Sequence, residues 1–571
     1  MPVKTRRSHL FGYLRLPIGV SASRPHGEPG RSDAIVSAIV QDVRNVADLV
    51  RRAASSGADR PALRWHDRVI TWGELDMQVD AVAAALRSVT DQADDSVQAD
   101  DDNAVAARIA IALPNVPEFA TAYFGALRAG LVVVPVNPGY TARELRHLLA
   151  DTGAEVIIGT PAVLAAVATV EAPALRHAYA VGESAAGARP FAELLAAAPT
   201  PVEPTAGGED IAVLLYTSGT SGMPKGAMLS HRALLANHAQ LAAIEPQPMG
   251  ADDVVLLTLP LFHSYGLNTG LGAIAYHGAC GVLVERFDPA DTLTRIRRQG
   301  VTVVVGVPPM YVAWSLMGDQ LATAFAGVRI AVSGAAPLDV ETARRFAEVV
   351  GRPVYEGYGL TETAPVLTTT MGEKEPKVGS IGRPLPDVDV QLVDADGQVV
   401  GTVDDEGVDD DDLEYDSPGS PGTDPGVMVV RGPNLFSGYW PDGSGGPDAN
   451  GWWFTADVAY ADADGDLFLV DRVGDLIIVS GFNVYPHEVE LVLSSHPAVV
   501  ESAVVGVEHP YTQQTVKAYV VRRPGVTVTA EDLIAYCEGN LARFKCPTAV
   551  EFVAELPKSA TGKVRRGELG G

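Results

Sequence analysis

The chain has few cysteines, a deficit of positive charge and no long apolar run. Its three cysteines, Cys280, Cys537 and Cys546, have no paired spacing. Their scatter argues against a disulfide framework or a zinc site and favours a reducing compartment, the cytoplasm. Lys and Arg number 43 against 71 Asp and Glu, which leaves a net charge of -28 at pH 7. This acidity argues against nucleic acid as a partner, because a phosphate backbone is bound by clustered basic side chains.

An integral membrane segment is also not expected. The stretch from Val254 to Val284 comes nearest to a spanning helix, but prolines and polar residues such as Pro260 and His277 interrupt it. At the N-terminus, basic and apolar residues alternate, and Arg15 and Pro17 break the run before a signal-type core can form. Only a peripheral membrane contact stays open.

The 571 residues, 47% of them hydrophobic, predict a globular chain with several folding units. Residues 1–45 lack a pattern and are interpreted as a poorly ordered extension. Two acidic inserts, at about 91–102 and 404–426, lack the alternating spacing of a calcium loop and are interpreted as solvated loops. We expect an N-terminal domain over residues 46–471 and a smaller domain over residues 472–571.

The pattern of elements predicts an α/β fold. From residue 61 onward, apolar β-rich runs such as "AEVIIG", "DIAVLLYTS" and "VTVVVGVP" alternate with helix-like stretches, as in parallel strands joined by crossover helices. After the second insert, short strands with Gly and Asp turns indicate a barrel-like β segment. The final stretch alternates helix and strand and has the size of a small α/β lid.

The stretch "YTSGTSGMPKG" is the clearest chemical signal. It follows a predicted buried strand and combines hydroxyls, glycines and Lys225, which suits a phosphate because backbone amides can approach an anion while hydroxyls and the ammonium donate to its oxygens. Gly219 and Gly222 are separated by only two residues, and Gly226 follows the lysine. The Walker pattern of nucleotide hydrolases therefore does not fit.

Three further segments carry candidate ligands. In "VYEGYGLTETAP", after the small residues of "VSGAAPLD", Tyr358 can stack on a flat ring and Glu362 offers a carboxylate to magnesium. In "FTADV", Asp457 can accept hydrogen bonds from a ribose diol, and Arg472 can reach ribose or phosphate. Near the C-terminus, Lys563 lies between a glycine and two arginines in "TGKVRR".

Together these segments, with "SGFNVYPHEVE", closely resemble the adenylate-forming superfamily of acyl-CoA synthetases, luciferases and adenylation domains, and within it the fatty-acid CoA ligases. The resemblance covers about residues 50 to 566 and keeps the family's order of motifs. It implies a large N-terminal domain, a small mobile C-terminal domain and two half-reactions. ATP would activate a carboxylic acid as an acyl adenylate, and CoA would then accept the acyl group, with magnesium as the metal.

The resemblance also implies a set of site residues. The phosphates would be held by Thr217, Ser218, Gly219, Thr220, Ser221, Gly222 and Lys225, and the magnesium ion by Thr217 and Glu362. The nucleoside and α-phosphate would be held by Gly334, Ala335, Glu356, Gly357, Tyr358, Thr361, Asp457 and Arg472. Lys563 resembles the lysine that the mobile domain inserts for adenylation, and Gly481 matches the segment that approaches the pantetheine of CoA.

Two positions depart from the family pattern. Gly474 stands in the expected hinge "DRVGD" where a lysine or aspartate is usual, and Ala456 stands where glycine is more common. Neither change removes an expected ligand. Hinging between the half-reactions is compatible with a glycine, since glycine widens the accessible backbone angles.

The choice of acid is indicated by His263 in "LPLFHSYGL". The resemblance places this residue, with a catalytic role, between the acyl pocket and the approach of the thiol. A histidine lacks the permanent negative charge that would pair with an amino acid's ammonium group. Val307, Met310 and Trp314 are candidate apolar lining, which favours a medium or long fatty acid. An aryl acid, an acyl-AMP ligase that loads a carrier protein and a degenerate scaffold protein are the alternatives.

Overall fold

The computed structural model describes residues 43–91, 106–185, 187–196, 200–217, 224–373, 375–394, 397–403, 422–472, 477–479, 482–509, 513–558 and 564–569. Most of the predicted extension and most of both acidic inserts lie outside these ranges. Asn45, assigned to the extension by its sequence, is 1% exposed, and its side chain donates to the carbonyls of Leu127 and Ala206. The packed part of the chain therefore begins before the predicted boundary.

The strands of the large domain follow one another in short segments. In chain order they are β1 Pro61–Trp65, β2 Arg68–Thr71, β3 Arg108–Ala112, β4 Val132–Pro135, β5 Val156–Gly159, β6 His177–Ala180, β7 Arg189–Pro190, β8 Ile211–Thr217, β9 Lys225–Ser230, β10 Val254–Leu257, β11 Cys280–Leu283, β12 Val303–Gly306, β13 Ile330–Gly334, β14 Tyr355–Tyr358, β15 Thr368–Thr369, β16 Arg383–Pro384, β17 Asp389–Val393, β18 Val399–Val403, β19 Gly426–Arg431, β20 Trp453–Ala461 and β21 Leu467–Arg472.

The helices of the same domain separate the parallel strands. They are α1 Asp48–Gly57, α2 Trp72–Asp91, α3 Pro117–Ala129, α4 Ala142–Thr152, α5 Pro161–Val167, α6 Ala192–Leu195, α7 His231–Ala242, a π-helix Tyr265–Gly272 continued by α8 Ala273–His277, α9 Pro289–Gln299, α10 Pro308–Ser315, α11 Asp319–Phe325, α12 Val340–Val350 and a 3-10 turn Thr361–Thr363. Several begin at side-chain caps, such as Thr141, which forms a capping box with Glu144.

Two largely parallel sheets form the core of this domain. One has the order β16-β15-β14-β13-β12-β10-β11-β1-β2 and the other β7-β6-β5-β3-β4-β8-β9. Strands such as β4 and β12 are buried throughout, as expected for parallel strands covered on both faces. Strand β9 runs antiparallel to β8, with Thr217 opposite Lys225, so the phosphate segment connects two antiparallel neighbours.

A five-stranded antiparallel sheet, β18-β17-β19-β20-β21, is formed around the second insert, with β17 and β18 before it in the chain and β19 to β21 after most of it. The C-terminal part then contains β22 Ile477–Val479, β23 Phe482–Val484, α13 Pro486–Ser494, β24 Val499–His509, β25 Gln513–Arg522, α14 Ala530–Glu538, a 3-10 turn Arg543–Lys545, β26 Ala549–Phe552 and a 3-10 turn Arg566–Glu568. Its strands form a separate sheet with its own apolar core. The predicted α/β class, barrel-like segment and small α/β domain are confirmed.

The π-helix is packed unusually close to the preceding chain. A Cβ atom on Gly266 would lie 2.2 Å from the carbonyl oxygen of Pro260, so only glycine fits there. Single π turns occur frequently at functional sites. Among the helices that the structure describes, none has the length and apolar character to cross a membrane.

Candidate active site

The candidate site is a cavity of about 1450 Å³. It opens at the carboxyl ends of β8, β13 and β14, where ligands bind in open α/β sheets. Residues 453–456 of β20 and residues 564–568 of the C-terminal part complete its wall. The cavity therefore joins segments that are more than 300 residues apart in the chain.

The nucleoside candidates surround one side of this cavity. Ala335, Gly357 and Tyr358 line it, and the Tyr358 hydroxyl donates to the carboxylate of Asp457. Asp457 lies opposite Arg472 in the β20–β21 ladder, although the side chain of Arg472 lies outside the described part. The structure thus brings the predicted adenine and ribose residues into direct contact.

Gly334 and Glu356 differ from their predicted positions, because neither belongs to the residues that line the cavity. A Cβ atom on Gly334 would lie 2.9 Å from the Tyr265 hydroxyl, so this glycine gives space to the tyrosine. Glu356 instead accepts a hydrogen bond from the backbone N–H of Leu338 at 3.2 Å. It holds the loop after β13, whereas its neighbours Gly357 and Tyr358 line the cavity.

Burial raises the pKa of Glu356 from 4.5 to about 7, opposed by the Leu338 hydrogen bond. The folded state therefore binds more protons than the unfolded state between pH 4.5 and pH 7, so this group's stabilisation is lost as the pH rises. We expect Glu356→Gln, which keeps the acceptor, to match the wild type near pH 4.5 and to exceed it at pH 8 by up to about 3 kcal/mol. Urea unfolding at both pH values measures this.

The exposed Glu555→Gln variant serves as the control for the loss of one carboxyl group. An equal difference between Glu356→Gln and the wild type at pH 4.5 and pH 8 would contradict the assignment, because a purely steric effect does not titrate.

The phosphate residues are only partly described. Thr217, Pro224 and Lys225 line the cavity, whereas Ser218, Gly219, Thr220, Ser221 and Gly222 lie outside the described residues. The Lys225 ammonium lies 5.2 Å from the centre of the Tyr439 ring. Both ends of the predicted phosphate loop thus meet the cavity.

Glu362, the predicted carboxylate for magnesium, lies on the same wall and is 7% exposed. Its Oε1 atom accepts a hydrogen bond from the Tyr439 hydroxyl at 2.7 Å. In the part of the chain that the structure describes, no lysine or arginine forms an ion pair with it. A carboxylate oxygen and the Thr217 hydroxyl, which line the same cavity, are hard oxygen donors, so the donor types fit magnesium. Thr361 adds a hydroxyl 3.4 Å from that of Ser264.

His263 lines the cavity at the start of the π-helix. Burial lowers the pKa of its imidazole to about 4, so the ring is neutral near pH 7. The backbone N–H of Tyr265 donates to Nδ1 at 3.3 Å, which leaves the proton of the neutral ring on Nε2. The side chain can therefore donate a hydrogen bond but provides no charge.

Part of the cavity wall is apolar. Val303 and Val305 on β12, with Ile330 and Val332 on β13, line it from the sheet. It is also lined by Thr269, Ala273 and His277 at helical spacing, and by Leu241, Pro248, Met249 and Met371. Small side chains at Thr269 and Ala273 leave room along the helix.

The predicted lining residues Val307, Met310 and Trp314 lie elsewhere. All three are buried in the core and none belongs to the cavity wall. Trp314 packs edge-on against Phe325, and its Nε1 donates to Thr292 at 3.0 Å. The reason is that α10 packs against α12, with Tyr311 edge-on to Phe346.

We expect Trp314→Phe to reduce the free energy of unfolding by about 1–2 kcal/mol, through lost packing contacts and the lost hydrogen bond from Nε1 to Thr292. The ratio of kcat/KM for long and short acids should not change, because Trp314 does not face the cavity. Urea unfolding and an acid series test this. A shifted chain-length preference at unchanged stability would place Trp314 in the pocket wall after all.

Lys563 and Gly481 lie outside the described residues, as does the hinge position Gly474. The residues that follow Lys563 are described, and Val564, Arg565 and Arg566 line the cavity. Lys558 and Val564 form an antiparallel bridge, and Arg566 donates to both carboxylate oxygens of Glu490 at 2.9 and 2.7 Å. The base of the segment that carries Lys563 is therefore fixed beside the cavity.

Comparison with known proteins decides the family. The model of the AMP-binding enzyme family matches residues 50–440, and the model of the AMP-binding enzyme C-terminal domain matches residues 488–563. The chain belongs to the AMP-binding enzyme family. It is an adenylate-forming enzyme of the acid–CoA ligase type.

Its curated relatives differ in their acids. The chain is 33% identical over 561 residues to a long-chain-fatty-acid–CoA ligase of Escherichia coli O157:H7, covering 92% of this chain and 94% of that protein. It is 34% identical over 526 residues to a feruloyl-CoA synthase of an Amycolatopsis species, covering 91% of this chain and 97% of that protein. The type of reaction is common to both names, and the acid is not.

The solved structures agree with the fold. ATP-bound MatB from Rhodopseudomonas palustris has a TM-score of 0.79 at 29% identity, covering 92% of this chain and 98% of that one. A benzoate CoA ligase from Burkholderia xenovorans LB400 has a TM-score of 0.77 at 27% identity, covering 93% of this chain and 100% of that one.

Sequence reasoning missed Tyr439, Tyr265 and the four sheet residues of the apolar wall. Tyr439 follows Glu362 by 77 residues and belongs to no quoted motif, so no local signal connects the two. The sheet residues had a usable signal in the alternation of "VTVVVG", since every second side chain faces one side. That pattern does not reveal which side faces a ligand.

Proposed function

We propose that the protein is an ATP-dependent fatty acid CoA ligase for medium or long chains. The observation that carries this proposal is the apolar part of the cavity wall, which residues of β12 and β13 form together with the helix face that ends at His277. Tyr265, Thr269, Ala273 and His277 line the cavity along about three turns of this helix. A wall of this length suits an extended hydrocarbon chain.

In the first half-reaction the acid's carboxylate oxygen attacks the α-phosphorus of ATP, and the bond to pyrophosphate breaks. Tyr358 and Asp457 would hold the nucleoside, while Thr217 and Lys225 would donate to the phosphates. Magnesium, held by Glu362 and Thr217, would neutralise charge on the phosphate oxygens. The neutral His263 offers no anion to an amino group, which favours acids without one.

In the second half-reaction the thiol of CoA attacks the acyl carbonyl carbon, AMP leaves, and the thiol proton is released. The products are acyl-CoA and AMP. All three cysteines of the chain are free, which agrees with the reducing, cytoplasmic compartment proposed for this chemistry.

A hydroxylated aryl acid is the second candidate, favoured by two hydroxyls on the helix wall. Among the described residues, the Tyr265 hydroxyl and Thr269 Oγ1 are buried without a hydrogen-bond partner, and both residues line the cavity. An unpaired buried hydroxyl costs roughly 1–3 kcal/mol, which an oxygen substituent on the acid would recover.

A panel of acids tests the proposal. The protein is incubated with ATP and magnesium and with acetic to octadecanoic, benzoic and hydroxycinnamic acids, each with and without CoA, and the products are identified by mass. Acyl-CoA from acids of eight or more carbons supports the proposal. Preference for the aryl acids favours the second candidate. Acyl adenylate that accumulates despite CoA favours a ligase that loads a carrier protein, and no product at all favours a scaffold role.

A further inference from the structure

Tyr439 occupies a position between the two predicted phosphate-side groups. Its hydroxyl donates to Glu362 Oε1 at 2.7 Å, and the Lys225 ammonium lies 5.2 Å from the centre of its ring. The side chain lines the same cavity as both partners. One residue thus contacts the expected metal carboxylate and the expected phosphate lysine.

The backbone fixes Tyr439 in this position. Segment 436–440 pairs with β9 through three hydrogen bonds, Ser437 N–H to the Met228 carbonyl, Met228 N–H to Gly438, and Trp440 N–H to Gly226, at 2.8 to 3.0 Å. On its other side, the N–H of Phe436 donates to the carbonyl of Glu362 at 2.9 Å. The register of these pairs places the tyrosine between the lysine strand and the turn that carries Glu362.

We propose that Tyr439 is a positioning residue for the magnesium carboxylate, an inference that rests on the proposed function. Its hydroxyl donates to Oε1 of Glu362 and so holds the carboxylate in one orientation, with Oε2 available to a metal ion. Hydrogen bonds to a ligating carboxylate orient it, and their loss typically costs 10- to 100-fold in metal affinity. Tyr439 itself contacts neither the acid nor the reacting phosphorus in this role.

The test measures ATP binding by titration calorimetry without any acid, so that no turnover occurs. Wild-type protein, Tyr439→Phe and the control Tyr460→Phe are each titrated with ATP in EDTA and in saturating MgCl₂. Tyr460 is a strand tyrosine that stacks on Phe468 away from the cavity. We expect magnesium to tighten ATP binding by the wild type and by Tyr460→Phe. Tyr439→Phe should lose at least about 10-fold of that magnesium-dependent gain, while its ATP affinity in EDTA changes less than about twofold.

A second variant keeps the test independent of folding defects. In a Glu362→Gln background, Tyr439→Phe should add no further loss of the magnesium-dependent gain, since the carboxylate it orients is already absent. An equal loss of affinity with and without magnesium, or an additive loss in the double variant, overturns the proposal and leaves Tyr439 a structural residue. A magnesium-dependent gain in ATP affinity that is as large in Tyr439→Phe as in the wild type also overturns the proposal.

The calorimetry also separates this inference from the function on which it rests. If the wild type shows no ATP binding in either condition, the proposed function fails. If the wild type shows the magnesium-dependent gain and Tyr439→Phe retains it, only the role of Tyr439 fails.

Discussion

Lys563→Ala should abolish the formation of acyl adenylate while leaving its transfer to CoA nearly intact. We expect ATP-dependent adenylation to fall by about 10²- to 10³-fold, the size of effect seen when one preorganised donor to transition-state charge is removed. The physical reason is that an ammonium placed against the α-phosphate compensates charge that develops as pyrophosphate leaves. Thioester formation from supplied acyl adenylate has no such charge to compensate.

The neighbouring structure supports this role. Arg566 is anchored by both oxygens of Glu490, whose Oε1 also accepts from the backbone N–H of Val504 at 2.7 Å. The Arg565 N–H donates to the carbonyl of Pro557 at 2.8 Å. The chain on the C-terminal side of Lys563 is thus fixed at the cavity wall.

Single-turnover assays of each half-reaction, with mass detection of acyl adenylate and acyl-CoA, measure the effect. Lys517→Ala is the matched control, since that lysine is ion-paired with Glu551 on the small domain and does not line the cavity. Equal loss in both half-reactions would contradict the role, and so would full adenylation by Lys563→Ala.

Enlarging Ala273 should shorten the range of acids that the enzyme accepts. Ala273 lies on the cavity wall, eight residues beyond Tyr265, which is about two turns along the helix. We expect Ala273→Trp to reduce kcat/KM for hexadecanoic acid by about 100-fold or more, because the indole closes the far part of the cavity and overpacking costs roughly 1–3 kcal/mol. Ala273→Leu should have an intermediate effect.

Butanoic and hexanoic acids provide the internal control, because their tails end before Ala273. We expect their kcat/KM to change less than about threefold, and the melting temperature reports any general damage. Parallel losses for short and long acids would show that Ala273 does not face the acyl chain. Selective loss of hydroxycinnamic acids, with hexadecanoic acid unaffected, would favour the aryl alternative.

The predicted site residues that line the cavity share one property: they lie in continuous motifs next to a strand end. Thr217 ends β8, Lys225 begins the antiparallel β9 and Glu362 follows β14, and all three line the cavity, while their roles there stay predictions. The strand pattern was equally readable, because strands buried on both faces are apolar throughout. These two regularities need no knowledge of distant contacts.

The parts that the sequence could not predict depend on orientation or on distant pairing. Trp314 is an apolar residue near a site strand, but the direction in which α10 packs decides that it joins the core. Glu356 shares a strand face with Tyr358, which lines the cavity, but its carboxylate accepts a hydrogen bond from the backbone N–H of Leu338, a pairing that the sequence does not reveal. Tyr439 reaches Glu362 through strand pairing across 77 residues, for which one sequence carries no signal.

The direction of β9 has a consequence for the departure of pyrophosphate. In nucleotide-binding loops that open onto a helix, the helix N-terminus contributes a partial charge of about +0.5 to anion binding. Here the element that follows the phosphate segment is a strand, so this contribution does not come from it. In the proposed function the anion would be held by the exposed Lys225 and by separate donors, and salt ions compete with such contacts. We therefore expect the detached pyrophosphate to be released easily, which would favour the forward reaction.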